Sequence, residues 1–230
     1  MRALLAVLVV LLGLAAVADR VAVGVAEDRV AEALAEQPEL SGPPDVSIEG
    51  WPFLTQALGG EYEDVRIRLS AADLGQPEGT SADVRLRGVR VPLSDVLDGS
   101  VAEIPVDRVD GTVTLSYELL SRELGTDTTL APEGDRLRLS TTVRVLGYDV
   151  PLTAVGTVAL DGQELVVDVA EAGASGVDLP GFVVEAATDA LDLRYAVELP
   201  FGLQLTSVTP GEDGVRVTAD GEDTVLRAEG

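Results

Sequence analysis

Acid–base, nucleophilic and metal chemistry each need particular side chains, and this chain holds few of them. It carries 40 Asp and Glu, 16 basic residues that are all Arg, and no His, Cys or Lys. A Ser-His-Asp or Cys-His nucleophile and a Lys Schiff base are excluded by inventory. Zinc takes Cys or His as a rule, and neither is present. "ADGEDT" lacks the ligand spacing of a calcium-binding EF-hand loop. A carboxylate pair of the kind that hydrolyses glycosides remains chemically open, but 40 acids in 230 residues let no pair stand out. Neither a metal nor another cofactor is expected, and the chain does not read as an enzyme.

Unusual residue types gather in one place, "EGWPFLTQALGGEYEDVRIRLS", Glu49 to Ser70. Aromatic residues are 3% of the protein, yet this stretch holds its one Trp, one of three Phe and one of four Tyr. Helical spacing puts Leu54 and Leu58 on one face with Trp51 near by. Two readings compete for Trp51, Phe53, Leu54 and Leu58: a packing knot that pins a short helix to a sheet, or the lip of an apolar binding site. A membrane-dipping tip is a third. Tyr62 reads as packing or as a hydrogen bond at a strand start. Phe182 and Phe201 read as core, with lining of an apolar channel as the alternative.

The positioning elements follow from periodicity. Asp19 to Glu36 reads as a helix with Val23, Ala26, Val30, Ala33 and Leu34 as its apolar stripe. "DVSIEG" is a short strand, and Trp51 to Leu58 a short helix with Pro52 in its first turn and Gly59-Gly60 at its end. Beyond Gly60 the period becomes two: Val65, Ile67 and Leu69 alternate with Asp64, Arg66 and Arg68. Val84 and Leu86 alternate with Arg85 and Arg87, and at Gly88 the phase flips to Val89 and Val91, as at a β-bulge. "LSDVLDG" is a helical turn and "EIPVDRVDGTVTL" a strand. Ser116 is placed to cap the helix "YELLSREL", closed by Gly125. Leu137, Leu139, Val143 and Val145 mark a long strand, "VPLTAVGTVAL" another, and Asp161-Gly162 turns it into "QELVVDV". "LPGFVVEAATDALD" reads as the last helix. Four strands follow it: "LRYAVELP", "LQLTSVT", "VRVTAD" and "TVLRAE".

The expected class is α+β: a long, curved antiparallel β-sheet, apolar inside and polar outside, wrapped around a few α-helices. Such a sheet accommodates either a packed core or an elongated apolar cavity. Arg66, Arg68, Arg85, Arg87, Arg90, Arg136, Arg138 and Arg144 all fall on polar strand positions. They suit a solvated face paired with cross-strand acids, or a cradle for phosphate headgroups.

A formal charge of −24 repels phosphates, so neither nucleic acid nor an acidic membrane surface is an expected partner. At the amino terminus Arg2 precedes sixteen uncharged residues, Ala3 to Ala18. As a helix this run is about 24 Å long, short of the ~30 Å hydrocarbon core. It ends in Ala16-Val17-Ala18, a small-x-small pattern suited to signal cleavage. Residues 1–18 are therefore either an export signal or an anchor continuing into the domain, with 19–230 as a single α+β domain. Either places the body outside the cytoplasm, in the periplasm or cell envelope.

"IEGWPFLTQALGGEYEDVRIRLS" resembles the Pro-Phe-Leu-Thr-Gln…Gly-x-Tyr stretch of an actinobacterial envelope family typified by lipomannan elongation factor A. "VRLRGVRVPLSDVL", "GTVTLSYELL" and "LPFGLQLTSVTPGEDGVRVTADGEDTVL" are similar to further segments of that family, so the resemblance spans nearly the whole chain. Trp51 stands where the family often has Phe, which keeps the apolar role. The resemblance implies a tubular, BPI-like lipid-binding architecture with an elongated apolar cavity. It implies binding of phospholipid, including phosphoinositide or a lipoglycan precursor, at the outer face of the cytoplasmic membrane, and support of lipoglycan (lipomannan) biosynthesis. The expected lipid contacts are Trp51, Phe53, Leu54, Leu58, Phe182 and Phe201. The rival expectation is a scaffolding envelope domain with a solid core. The protein partner of either is not legible in the residues.

Overall fold

The computed structural model describes residues 2–38, 40–98, 101–124, 128–145, 148–174, 193–196, 199 and 202–227. The helix expected over "LPGFVVEAATDALD", the stop at Gly125, and both Phe182 and Phe201 lie outside the described residues.

Four helices and eleven strands are described: α1 (Arg2–Ala35), β1 (Asp45–Glu49), α2 (Phe53–Gly59), β2 (Glu61–Leu69), β3 (Ser81–Arg90), α3 (Leu93–Asp98), β4 (Glu103–Ser116), α4 (Tyr117–Leu124), β5 (Thr128–Glu133), β6 (Arg136–Val145), β7 (Tyr148–Asp161), β8 (Glu164–Ala174), β9 (Leu193–Ala196), β10 (Gln204–Pro210) and β11 (Gly214–Arg227). The class is α+β, and the strands form sheets ordered β1-β2-β3-β4-β11-β10 and β5-β6-β7-β8-β9. Every pairing whose register is described is antiparallel. The chain divides into two compact units. One holds residues 1–69, 83–110 and 221–230, the other 70–82 and 111–220, so β4 and β11 each contribute to both.

In the first unit the apolar run and the amphipathic segment form one unbroken 34-residue helix, about 51 Å long. The helix expected to start at Asp19 therefore starts at Arg2. Gly13 and Gly24 are the weak points, and an isolated glycine costs a helix only about 1 kcal/mol relative to alanine. The docked face follows the expected stripe only in part, at Val23, Ala26 and Leu34. Asp19 and Val23 are buried with Ala16 and Glu27 half-buried beside them, whereas Val30 and Ala33 face solvent. The contact with the domain is partly polar: Glu27 Oε1 accepts the backbone N–H of Ile48 at 2.8 Å. That N–H belongs to β1, an edge strand, and edge groups need covering.

Strand β1 pairs with β2 so that Val46 faces Ile67 and Ile48 faces Val65. The phase flip lies where expected: Leu86, Val89 and Val91 are buried, while Arg85, Arg87 and Arg90 point outward. Gly88 absorbs it at φ +63°, the left-handed conformation a glycine bulge uses. The outward arginines meet acids across the strands. Arg66 pairs with Asp83 and Arg85 with Asp64 between β2 and β3, and Arg87 with Asp110 and Arg90 with Asp107 between β3 and β4. Exposed pairs of this kind contribute only about 0.2–1 kcal/mol each.

In the second unit the core gathers Leu137, Leu139, Ala154, Val208 and Val215, with Tyr117, Leu120, Leu130, Val158 and Val217 packed against it. The Ser116 hydroxyl accepts the N–H of Leu119 at 3.2 Å, the expected cap of α4. Tyr117 donates its hydroxyl to the carbonyl of Gly211 at 2.7 Å, and burial pushes its pKa up. Two sequence expectations change. β5 is an additional strand: its Pro132 argues against a central position but suits an edge, and β5 ends its sheet. The last two expected strands are one, β11, with Asp223 at φ +50° inside it.

Backbone proximity makes Gly214 hard to replace. A Cβ there would lie 2.1 Å from the Leu115 carbonyl oxygen and 2.8 Å from Ser116 Cα, both main-chain atoms with no side chain to swing away. Gly134, at φ +67°, opens onto free space. Gly214→Ala should therefore lose about 2–3 kcal/mol, and Gly134→Ala only about 1 kcal/mol for its backbone conformation. Urea unfolding of both variants checks the order.

Candidate functional site

The stretch from Glu49 to Ser70 folds as the end of β1, helix α2 and strand β2, all in the first unit. Helix α2 has seven residues and starts after Pro52, whose side chain offers no cap. The cap comes from elsewhere: Asp19 of α1 accepts the N–H of Leu54 at 2.8 Å through Oδ1. A carboxylate there satisfies an orphan donor and complements the positive end of the helix. Asp19 is 3% exposed, and among the described residues its Oδ2 has no hydrogen-bond partner. At the other end Gly60 takes φ +67° and its N–H returns to the carbonyl of Ala57, the expected glycine stop.

Two inward side chains hold the helix to the hairpin beneath it. Gln56 donates Nε2–H to the carbonyl of Glu49 at 3.2 Å and accepts the N–H of Glu63 through Oε1 at 2.9 Å. Gly50 makes room, since a Cβ there would lie 2.6 Å from Gln56 Nε2. Phe53 is 6% exposed, with its ring centroid 6.2 Å from that of Tyr62. Burying Phe53 contributes about 1.5–3 kcal/mol. Burial also raises the Tyr62 pKa.

The outward face is apolar. Trp51 is 64% exposed, Leu58 78% and Leu54 39%. Leu54 and Leu58 lie one turn apart on α2, Trp51 just precedes the helix, and α3, which lies against α2, adds exposed Val96. On α1 every described side chain from Leu5 to Ala15 is exposed. Exposed Val17, Val21 and Val25 carry the apolar surface down to the level of Asp19 and beyond. From Gly50 to Gly60 no residue is charged.

The packing reading holds for Phe53 and Tyr62, whereas Trp51, Leu54 and Leu58 face outward. Sequence reasoning missed Asp19, Gln56 and Glu27. The signal for Asp19 was indirect: a helix beginning at proline needs a foreign acceptor, but nothing local says which.

These features define an α+β protein with an exposed apolar face on its first unit. Residues 17–220 match the family model described as LmeA-like phospholipid-binding, and the chain belongs to that family. No curated protein and no solved structure matches it. The match takes in Asp19 and the whole of β1, α2 and β2.

The foreign cap is testable. Asp19→Ala leaves the Leu54 N–H unpaired and should cost about 1–2 kcal/mol. Asp19→Asn keeps an acceptor oxygen and should recover at least half of that loss. Denaturant unfolding of the two variants compares them directly.

Proposed function

We propose that this protein is a non-enzymatic phospholipid carrier or presenter of the cell envelope, held by α1 at the outer face of the cytoplasmic membrane. The observation that carries the proposal is membership of a phospholipid-binding family over residues 17–220. An inventory without His, Cys or Lys agrees with binding rather than catalysis. Among the described residues α1 is the one helix long and apolar enough to cross a membrane. Arg2 at its start suits a cytoplasmic amino terminus and an external body. The unbroken course of α1 across residue 18, with Ala16 half-buried beside Asp19, favours retention of residues 1–18 over their removal.

The lipid site is proposed to involve Trp51, Phe53, Leu54, Leu58, Phe182 and Phe201 within a single domain, 19–230, of tubular, BPI-like form with an elongated apolar cavity. Phe53 acts from beneath by holding α2, while Trp51, Leu54 and Leu58 touch acyl chains. Each methylene withdrawn from water contributes about 0.8 kcal/mol, so an aliphatic surface suffices to hold a lipid. Phosphoinositide and lipoglycan precursors are the proposed ligands, and lipoglycan (lipomannan) biosynthesis the proposed setting.

Mass spectrometry of the natively purified chain tests this reading. One or two co-purifying phospholipids and an intact mass that includes residues 1–18 are expected. A lipid-free chain with no uptake from added phospholipid would favour the scaffolding alternative.

Substitution separates the two roles. Phe53→Asp buries an unpaired charge and should cost several kcal/mol of stability. Leu58→Asp, on an exposed position, should leave stability within about 0.5 kcal/mol yet reduce the blue shift of Trp51 emission on adding phospholipid. Fluorescence titration beside thermal unfolding reads both effects, since Trp51 is the sole tryptophan.

A further inference from the structure

We infer that the exposed apolar surface made by Trp51 and by Leu54 and Leu58 of α2 lies in the headgroup layer of the bilayer that α1 crosses, so that the first unit rests on the membrane instead of hanging from a free stalk. The inference rests on the reading of α1 as a retained anchor. Its first support is a length. A hydrocarbon core of ~30 Å takes about 20 helical residues, and counting from Arg2 this reaches Val21. Asp19 therefore sits at the outer edge of the core. Because Asp19 caps Leu54 at 2.8 Å, the start of α2 is held at the same level. No linker intervenes that would let the domain stand away, since α1 is unbroken through Ala35.

The second support is the chemistry of the face. It presents Trp51, 64% exposed, with Leu58 and Leu54 at helical spacing, and tryptophan favours the boundary between acyl chains and headgroups. A chain of net charge −24 is repelled by anionic headgroups over most of its surface, but the eleven residues from Gly50 to Gly60 are all uncharged. The one helix that Asp19 brings to the bilayer edge is thus one that the bilayer accepts. Exposed Val17, Val21 and Val25, on the side of α1 turned away from Asp19, add apolar surface at the same level. In this position Trp51 and Leu58 touch membrane lipid, and a lipid taken from the bilayer need not cross water first.

Site-directed spin labelling of the full chain in phosphatidylcholine vesicles tests the position. The protein has no cysteine, so Leu14→Cys, Leu58→Cys and Glu32→Cys each provide a single label site on an exposed position. Collisions with oxygen, which concentrates in the bilayer, are compared with collisions with a water-soluble nickel chelate. Glu32 lies about 16 Å beyond Val21 along α1 and should favour the chelate, while Leu14 should favour oxygen strongly. The Leu58 label should favour oxygen several-fold over the Glu32 label, at a depth shallower than Leu14. A Leu58 label that matches Glu32, with Leu14 still in the bilayer, overturns the inference and leaves the anchor standing. A Leu58 label shielded from both probes overturns it too, because protein then covers the face. A Leu14 label that favours the chelate overturns the anchor and this inference together, whereas the lipid-binding reading is judged separately by the mass measurement.

Discussion

A helix that begins at a proline has no side-chain acceptor of its own, and the arrangement of the candidate site depends on where α2 obtains one. It obtains it from Asp19, 35 residues earlier in the chain, through a 2.8 Å hydrogen bond to Leu54. That bond joins the apolar amino-terminal helix to the first element of the site. Gln56 and Phe53 then fix the rotation of α2 by bridging β1 and β2 and by packing on Tyr62. With Phe53 and Gln56 turned inward, helical geometry turns Leu54 and Leu58 outward, and Trp51, just before the helix, is exposed beside them. The exposed apolar face follows from three inward contacts.

The charges serve a different purpose. Arginines on β2 and β3 are matched by aspartates on β2, β3 and β4, so the polar side of these strands is a ladder of mutual pairs. A guanidinium already shared with a carboxylate offers a phosphate less than a free one does, which weighs against a headgroup cradle at these four positions. The ladder contributes little stability pair by pair, but it keeps the outer face of the sheet wet and its pairing register specific. Glu27 extends the same economy to the sheet edge, where it occupies the Ile48 N–H.

Lipid binding by this family needs no reactive side chain, and the chain lacks His, Cys and Lys. It needs apolar surface held away from the protein's own core. The exposed face of α2 is costly to leave in water, at about 25 cal/mol per Å², and Asp19, Gln56 and Phe53 hold the helix against turning it inward. A loosely held helix would turn Leu54 and Leu58 inward and bury them.

Much of this was legible in the residues. Period-two alternation marked the antiparallel strands, Gly60 and Ser116 marked helix ends, the phase flip marked Gly88, and "WPFLTQALGGEY" carried the family likeness. These are local signals, set by backbone preference and side-chain period within a few residues. Other features were beyond that reach. The aromatic cluster could be recognised from sequence, but not its division into buried Phe53 and exposed Trp51. The stripe assigned to α1 was wrong at Val30 and Ala33, because β1 and α2 meet the helix along Asp19, Val23 and Glu27 instead. β5 was hidden by Pro132, acceptable only because tertiary structure puts that strand at an edge. The sequence by itself determined most of the helices and strands and where the apolar residues fall; tertiary structure alone decided which apolar surface stays exposed. The physical reason is that the bonds making that choice, such as Asp19 to Leu54, join residues whose separation leaves no trace in local periodicity.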